Sequence, residues 1–331
     1  PVPGLEDEPW HREDDWLVML SQERLHFSAN FADNAHQEPG VPPASFTVVA
    51  YYAPQFAHLR WHVVSGGESV FVASLSRCKT WLSQGGKSNA YFAKTMDDRF
   101  IIKQMSKVEK QSFLEFGPLY FRYIADCLYK RRQTCLAKIL GVFEVTVKPG
   151  GSTRKGSEGQ PRVIDVLVME NIFYGRKVSR IYDLKGSLRH RYNRAASRDS
   201  SSPGTVFLDE NLLESLMDHP LCVDTMASAS LEAALWKDTA FLASLGVMDY
   251  SLLVGVDSSR SSLVVGIIDF IRQYTLDKQF ETLLKSSGLL GGAGQQPTVV
   301  SPRQYMRRFR SAMSSYFTIM PDSDPQQHCF N

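Results

Sequence analysis

A pair of glycines followed by a lysine is the first stretch of the chain whose residue types suit phosphate binding. Gly85 and Gly86 precede Lys87 in the segment WLSQGGKSNAYFAKT. A Walker A loop would need another glycine at position 81, because backbone amides from both ends of that loop wrap the phosphates. The chain has Trp81 there. The glycines therefore predict a turn that approaches phosphate without being a P-loop.

Lys103 lies in the strand pattern that follows this turn. The sequence continues as AYFAKT, MDDR and FIIKQM, which is typical of a β-hairpin. Side chains alternate along a strand, so Lys103 shares a face with Ile101 and Met105. A buried ammonium group needs an anion nearby, and the glycine turn would bring phosphates within its reach. The pattern favours a nucleotide site built on a hairpin, with a snorkelling surface lysine as the alternative.

A basic segment in the second half of the chain, IYDLKGSLRHRYN, also suits an anion. Four basic side chains follow Asp183: Lys185, Arg189, His190 and Arg191. Gly186 predicts a turn that lets the backbone approach a ligand closely. Cations beside a glycine turn favour an anion-binding role. The alternative is a solvated charged loop.

Two aspartates lie beside strongly apolar strand patterns. Asp249 precedes SLLVGV and either orients a hydroxyl nucleophile and accepts its proton, or caps a turn. Asp269 ends LVVGIID, which is apolar on both faces and predicts a central strand. A carboxylate there suits Mg²⁺, which proteins hold with one or two carboxylates plus the phosphates of a nucleotide.

The composition limits the classes of partner. The 331 residues are 43% hydrophobic and 22% charged, which is typical of a globular protein. A net charge of +2 gives no global attraction to nucleic acid, so an anionic partner must meet a local basic patch. The cysteines form no CxxC pair, the apolar runs are too short to span a membrane, and the start has no signal-peptide pattern. We therefore expect an intracellular protein that binds no nucleic acid.

The elements that must position these residues change in character near Tyr174. Strand patterns dominate before it, together with one aromatic helix in which Gly117 and Pro118 predict a break. Helical patterns, LDENLLESLMD and ASLEAALWKDTAFLASL, join the strands after it. We predict an α+β fold with an antiparallel sheet in the first lobe and a mixed second lobe. The predicted division has four parts: a flank at 1–45, an N-lobe at 46–175, a C-lobe at 176–325 and a tail at 326–331.

The candidate residues follow one another in a kinase-like order. A glycine turn, a strand lysine, an aspartate for the hydroxyl nucleophile and a strand-end aspartate occur in that order in phosphoryl-transfer enzymes of the protein-kinase type. The HRD and DFG strings of ordinary protein kinases are absent. This combination predicts a bilobal, protein-kinase-like architecture outside the ordinary protein kinases.

Longer strings carry a specific resemblance. FIIKQM, YDLKGS, MDYSLLVG and GIIDF together resemble the signature set of the phosphatidylinositol phosphate kinases. The resemblance narrows to the type III branch, the FYVE-finger-containing phosphoinositide kinases (PIKfyve/Fab), because of the strings SLSRCKTW, GGKSNAYFAKT, VMENIFYGRK and PTVVSP. The residues in these strings most resemble those of plant members. The resemblance covers residues from about 60 to about 320.

This resemblance implies a reaction and a set of residue roles. The reaction is ATP- and Mg²⁺-dependent phosphorylation of the 5-hydroxyl of phosphatidylinositol 3-phosphate, which gives the 3,5-bisphosphate. The family's roles fall on six positions: ATP binding by Gly85, Gly86 and Lys103, catalysis by Lys185 and Asp249, and nucleotide and metal binding by Asp269. The acidic partner of Lys103 is either Glu109 or Glu115.

In this family the segment after Asp269 selects the lipid and touches the membrane. Lys278 and Lys285 flank an apolar helical face there. With Arg191, we expect them to contact the phosphoinositide and an anionic membrane surface. The alternative is a helix packed on the C-lobe. Further along, Ser301 and Pro302 have the residue types of a helix N-cap and first turn.

The resemblance also implies a setting for the chain. We expect further domains of the same protein, a FYVE finger and a chaperonin-like region, with scaffold proteins as partners. The expected location is cytoplasmic, peripheral on endosomal or vacuolar membranes. The alternatives are a phosphatidylinositol 4-phosphate 5-kinase or 5-phosphate 4-kinase, a non-catalytic phosphoinositide-binding module, and an enzyme that phosphorylates protein serines.

Overall fold

The computed structural model describes residues 24–31, 44–81, 91–148, 160–198, 204–259, 261–274 and 301–320. Their contacts divide them into two compact units. Unit 1 comprises the described residues within 1–82, 88–131 and 138–171, and unit 2 those within 132–137 and 172–331. The predicted α+β class is confirmed, because helices accompany an antiparallel sheet in unit 1 and a mixed sheet in unit 2.

Seven strands form the sheet of unit 1. In chain order they are β1 (Arg24–Phe31), β2 (Ala44–Tyr51), β3 (Cys78–Trp81), β4 (Phe92–Thr95), β5 (Phe100–Met105), β6 (Ile139–Lys148) and β7 (Arg162–Glu170). Across the sheet the order is β1-β2-β6-β7-β5-β4-β3, and all neighbours are antiparallel. β5 lies between β4 and β7, so Lys103 pairs with Phe92 on one side and Leu167 on the other.

Three helices accompany this sheet: α1 (Ala53–Val63), α2 (Gly67–Leu75) and α3 (Lys107–Tyr129). The core of unit 1 is aromatic. Phe113 of α3 stacks on Phe56 of α1 with ring centroids 6.0 Å apart, and Phe56 meets Phe121 edge to face at 4.9 Å. All three side chains are buried. The aromatic helix that the sequence predicts is therefore α3, which packs on α1 through these rings.

The predicted break in α3 is wrong, because the helix runs through Pro118 without interruption. A proline inside a helix lacks the amide hydrogen that would bond the carbonyl four residues earlier. That carbonyl belongs to Leu114, and it accepts a hydrogen bond from Tyr52 Oη at 2.7 Å instead. Gly117 leaves room for the ring, since a Cβ there would lie 2.8 Å from Tyr52 Cε2. Tyr52 thus replaces the lost donor.

Unit 2 contains a four-stranded mixed sheet and a small parallel pair. The elements are β8 (Val178–Leu184), α4 (Arg194–Arg198), β9 (Val206–Phe207), α5 (Asp209–Ser215), β10 (Leu221–Asp224), α6 (Thr225–Ser244), β11 (Ser251–Asp257), β12 (Ser262–Ile268), α7 (Pro302–Tyr316) and β13 (Phe317–Met320). The sheet order is β12-β11-β8-β9, with β8 and β9 parallel and the other pairs antiparallel. β10 pairs with β13.

Helix α7 begins as the sequence predicts. Ser301 Oγ accepts a hydrogen bond from the amide of Gln304 at 3.3 Å, Gln304 Oε1 accepts one from the amide of Ser301 at 3.0 Å, and Pro302 occupies the first turn. Tyr305 and Phe309 are buried and pack on Tyr250, which immediately precedes β11. Within the described ranges, no helix has the length and apolar character needed to cross a membrane.

Candidate functional site

Lys103 lies in the interior of unit 1 and is paired with an acid. Its residue is only 7% exposed, so the alternative of a snorkelling surface lysine is wrong. Nζ lies 3.2 Å from Oε1 of Glu109, in the first turn of α3. The structure thereby decides between the two candidate acids. Glu115 is exposed and accepts a hydrogen bond from Gln111.

Glu109 joins the lysine to the start of the helix. Its other oxygen, Oε2, accepts the amide hydrogen of Ser106 at 2.8 Å, and Ser106 Oγ accepts the amide hydrogen of Glu109 at 3.2 Å. This reciprocal capping box fixes the carboxylate. Burial raises the pKa of Glu109, but the charge of Lys103 and the bonds with Ser106 outweigh it and lower the pKa below 4.5. The carboxylate of Glu109 is therefore ionised at neutral pH.

A second ion group anchors the same helical turn. Nζ of Lys110 lies 2.6 Å from Glu144 Oε2 on β6 and 2.6 Å from Asp165 Oδ1 on β7. Burial lowers the pKa of Lys110, but hydrogen bonds with Asp165 and Glu144 and the negative charge of Asp165 raise it overall. Glu109 and Lys110 of α3 therefore pair with residues of β5, β6 and β7. These ion pairs set the position of Glu109 against β5.

Three other predicted residues meet at one end of the sheet in unit 2. Lys185 follows β8, Asp249 precedes β11 and Asp269 follows β12. These strand ends are neighbours, because Leu184 pairs with Leu252 and Ser251 pairs with Ile268. Lys185 Nζ donates to the backbone oxygen of Asp249 at 2.5 Å. The amide of Tyr274 donates to the oxygen of Gly246 at 2.7 Å, which joins the chain segment after Asp269 to the segment before Asp249.

Both aspartates have left-handed backbone conformations. The φ angle is 66° at Asp249 and 59° at Asp269, and both residues are exposed. Asparagine and aspartate tolerate this region better than other residues with a side chain, although it still carries strain. Strain of this kind often accompanies functional positions. Here it occurs at two aspartates that lie at neighbouring strand ends, and the backbone of one of them binds the Lys185 ammonium group.

The carboxylate of Asp269 is a suitable ligand for Mg²⁺. The ion prefers oxygen ligands and keeps few protein contacts when a nucleotide supplies the others. An exposed carboxylate at a strand end meets that requirement.

Arg191 lies in an acidic environment. Its Nε is 2.8 Å from Asp209 Oδ2 and its Nη2 is 2.6 Å from Asp183 Oδ1. Burial lowers the pKa of the guanidinium, but the two aspartates raise it overall. The predicted contact of Arg191 with lipid stays a prediction, and this placement favours a structural role, because the side chain already binds two acids.

Four predicted residues lie outside the described ranges: Gly85, Gly86, Lys278 and Lys285. Sequence reasoning missed Lys110 and Asp209. Lys110 carries no motif that singles it out, and LDENLLESLMD predicts a helix only. No local pattern marks either residue, because their partners lie on other strands and loops.

Comparison with known proteins gives one family. The profile described as phosphatidylinositol-4-phosphate 5-kinase matches residues 75–263 and 257–316. A 1-phosphatidylinositol-3-phosphate 5-kinase of Arabidopsis thaliana is 51% identical over 278 residues, which is 84% of this chain and 15% of the relative. The Homo sapiens 1-phosphatidylinositol 3-phosphate 5-kinase is 47% identical over 279 residues, 84% of this chain and 13% of the relative.

A third relative, from Saccharomyces cerevisiae and named likewise, is 46% identical over 254 residues, 76% of this chain and 11% of the relative. The chain therefore spans less than a fifth of the length of these curated relatives. The resemblance predicted from the motifs is confirmed.

Proposed function

The chain belongs to the phosphatidylinositol-4-phosphate 5-kinase family, and on that premise we propose that it transfers the γ-phosphate of ATP to the 5-hydroxyl of phosphatidylinositol 3-phosphate. The product is phosphatidylinositol 3,5-bisphosphate. Relatives named for that reaction, 46 to 51% identical, support the choice of substrate. The observation that carries the proposal is the grouping of Lys185, Asp249 and Asp269 at one end of a sheet.

Each residue has a role that its surroundings support. Phosphoryl transfer needs little covalent chemistry from the protein and depends on positioning and charge stabilisation. Lys103, held by Glu109, supplies a fixed positive charge for the phosphates of ATP. Lys185 stabilises negative charge on the group in transfer. Asp249 orients the attacking hydroxyl and can accept its proton.

Mg²⁺ would be held by Asp269 and would neutralise the phosphate charge when bound. Gly85 and Gly86 complete the proposed ATP contacts, and Lys278 and Lys285 the proposed lipid contacts.

The proposal extends to architecture and setting. Residues 46–175 and 176–325 form the two lobes of a protein-kinase-like fold, between a flank at 1–45, which supplies β1 to the sheet of the first lobe, and a tail at 326–331. An antiparallel sheet in unit 1 and a mixed sheet in unit 2 support that division. The full-length protein carries further domains, including a FYVE finger and a chaperonin-like region. It acts with scaffold proteins in the cytoplasm, on the surface of endosomal or vacuolar membranes.

The test is transfer of radiolabelled phosphate from ATP to vesicles that contain one phosphoinositide monophosphate at a time. We expect a 3,5-bisphosphate from the 3-phosphate lipid, and at least about a 100-fold loss of turnover in Asp269→Asn. Asparagine tolerates the left-handed backbone, so the change removes charge without adding strain.

Asp218→Asn, at an exposed position after α5, is the matched control and should retain full activity. Preference for a 4-phosphate or 5-phosphate lipid would overturn the choice of substrate. A folded wild-type chain that binds the vesicles without any product would identify a binding module instead.

A further inference from the structure

Asp209 is a completely buried acid that the proposed reaction does not use. It is the first residue of α5, and its exposure is 0%. An ionised carboxylate in the interior is costly unless several donors satisfy it. The identity of those donors indicates what the residue does.

The donors converge from the Lys185 turn and its neighbours. Oδ1 of Asp209 accepts the amide hydrogen of Gly186 at 2.8 Å and that of Lys185 at 3.1 Å. Oδ2 accepts from Arg191 Nε at 2.8 Å. Tyr316, the last residue of α7, donates its hydroxyl to Oδ1 at 3.1 Å. One carboxylate therefore binds two consecutive amides of the turn, an arginine and the end of a helix.

The same turn also lies close to α7. Gly186 has a φ of 63°, and a Cβ there would lie 2.9 Å from Ala312 Cβ and 3.1 Å from Phe309 Cα. A side chain at position 186 would clash with this helix, so the turn requires glycine there. The bonds to Asp209 hold the backbone from which the Lys185 side chain extends.

We propose that Asp209 is a positioning residue for Lys185. Its carboxylate holds the amides of Lys185 and Gly186, and this hold brings the ammonium group to the backbone oxygen of Asp249, beside the acid that orients the hydroxyl. Asp209 acts through Lys185 and touches no substrate. The catalytic consequence rests on the proposed lipid kinase reaction, whereas the structural consequence does not.

The first measurement is amide hydrogen exchange in the full chain, read on peptides that cover 183–188. Asp209→Asn keeps the size of the side chain but turns one acceptor oxygen into a donor amide. We expect exchange in these peptides to become about tenfold faster. Asp238→Asn is the matched control. Asp238 is also 0% exposed, but it accepts hydrogen bonds from Thr134 Oγ1 and the amide of Cys135.

The second measurement is a kinetic double-mutant cycle on vesicles with phosphatidylinositol 3-phosphate. We expect Asp209→Asn to lower kcat by about 100-fold with KM for ATP nearly unchanged, because small misplacement of a charge-stabilising group acts mainly on the transition state. In a Lys185→Ala background the same substitution should have no further effect on kcat. Asp238→Asn should lower stability without this kinetic pattern.

Two results would overturn the proposal. One is unchanged exchange at 183–188 in folded Asp209→Asn. The other is an equal loss of kcat with and without Lys185, which would mean that Asp209 acts independently of the lysine. If the wild-type chain makes no bisphosphate while exchange responds as expected, the proposed reaction fails and the positioning role stands.

Discussion

Glu109 divides its two carboxylate oxygens between a lysine and the amide that begins a helix. Glutamine at this position preserves a capping box, so Glu109→Gln removes the negative charge toward Lys103 and leaves the helix start intact. We expect a several-fold rise in KM for ATP and a loss of about 1 to 3 kcal/mol in the free energy of unfolding. Steady-state kinetics and urea denaturation measure the two effects.

The same substitution predicts a pH dependence. The pKa of Glu109 is lower in the folded chain than its ordinary value of 4.5, so the ionised carboxylate stabilises the fold above that value. The difference in unfolding free energy between wild type and Glu109→Gln should be constant at neutral pH. It should shrink as the pH falls through the lowered pKa. Glu115→Gln, at an exposed position, is the control, and equal pH profiles for the two variants would refute the assignment.

Single residues were predictable where a local pattern determined their surroundings. Period-two alternation in FIIKQM predicts that Lys103 shares an apolar face with Ile101 and Met105, and its burial in the fold excludes the surface alternative. The sequence could not choose between Glu109 and Glu115, because the choice depends on how α3 docks on the sheet. The ion pair between Arg191 and Asp209 could not be predicted either, because Asp209 belongs to a separate helix.

At the scale of elements, α3 tolerates a proline because another residue supplies its missing hydrogen bond. Tyr52→Phe leaves the oxygen of Leu114 without this donor, and we expect a loss of about 1 to 3 kcal/mol in the free energy of unfolding. Chemical denaturation monitored by circular dichroism measures the loss.

Pro118→Ala provides the control for the hydrogen bond between Tyr52 and Leu114. Alanine restores an amide that can bond the oxygen of Leu114, so Tyr52→Phe should cost less stability in that background. An equal cost in both backgrounds would show that the hydroxyl does not compensate for the proline. The predicted break in α3 was wrong for this reason, because Tyr52 lies before α1 and no pattern within the helix reveals it.

At the scale of the whole molecule, the chain does not divide into two continuous halves. Residues 132–137 belong to unit 2, although residues on both sides of them belong to unit 1. Hydrogen bonds tie the segment into unit 2. The amide of Ile267 donates to the oxygen of Cys135 at 2.6 Å, the amide of Ala137 donates to the oxygen of Ile267 at 2.9 Å, and the amide of Cys135 donates to Asp238 Oδ2 at 2.5 Å. The sequence shows the change from mainly strand patterns to mixed patterns near Tyr174. It does not show that residues 132–137 pack with unit 2.

A fragment of residues 172–331 should therefore be less stable than one that also contains residues 132–137. We expect its thermal midpoint to lie about 10 °C below that of the same fragment with residues 131–138 joined to its start by a flexible linker. Thermal unfolding followed by circular dichroism compares the two, and a fragment with a scrambled segment is the control. Equal midpoints for all three would show that the segment contributes nothing to unit 2.

The left-handed backbone at Asp249 and Asp269 has a consequence for the history of gene copies. An aspartate codon becomes an asparagine or a glycine codon by one base change, and both residues tolerate this conformation. A duplicated gene can therefore lose either carboxylate in a single step without unfolding its product. Copies that drift in this way should persist as folded, inactive proteins, so sequencing of duplicated genes should find asparagine or glycine at these positions more often than alanine or valine.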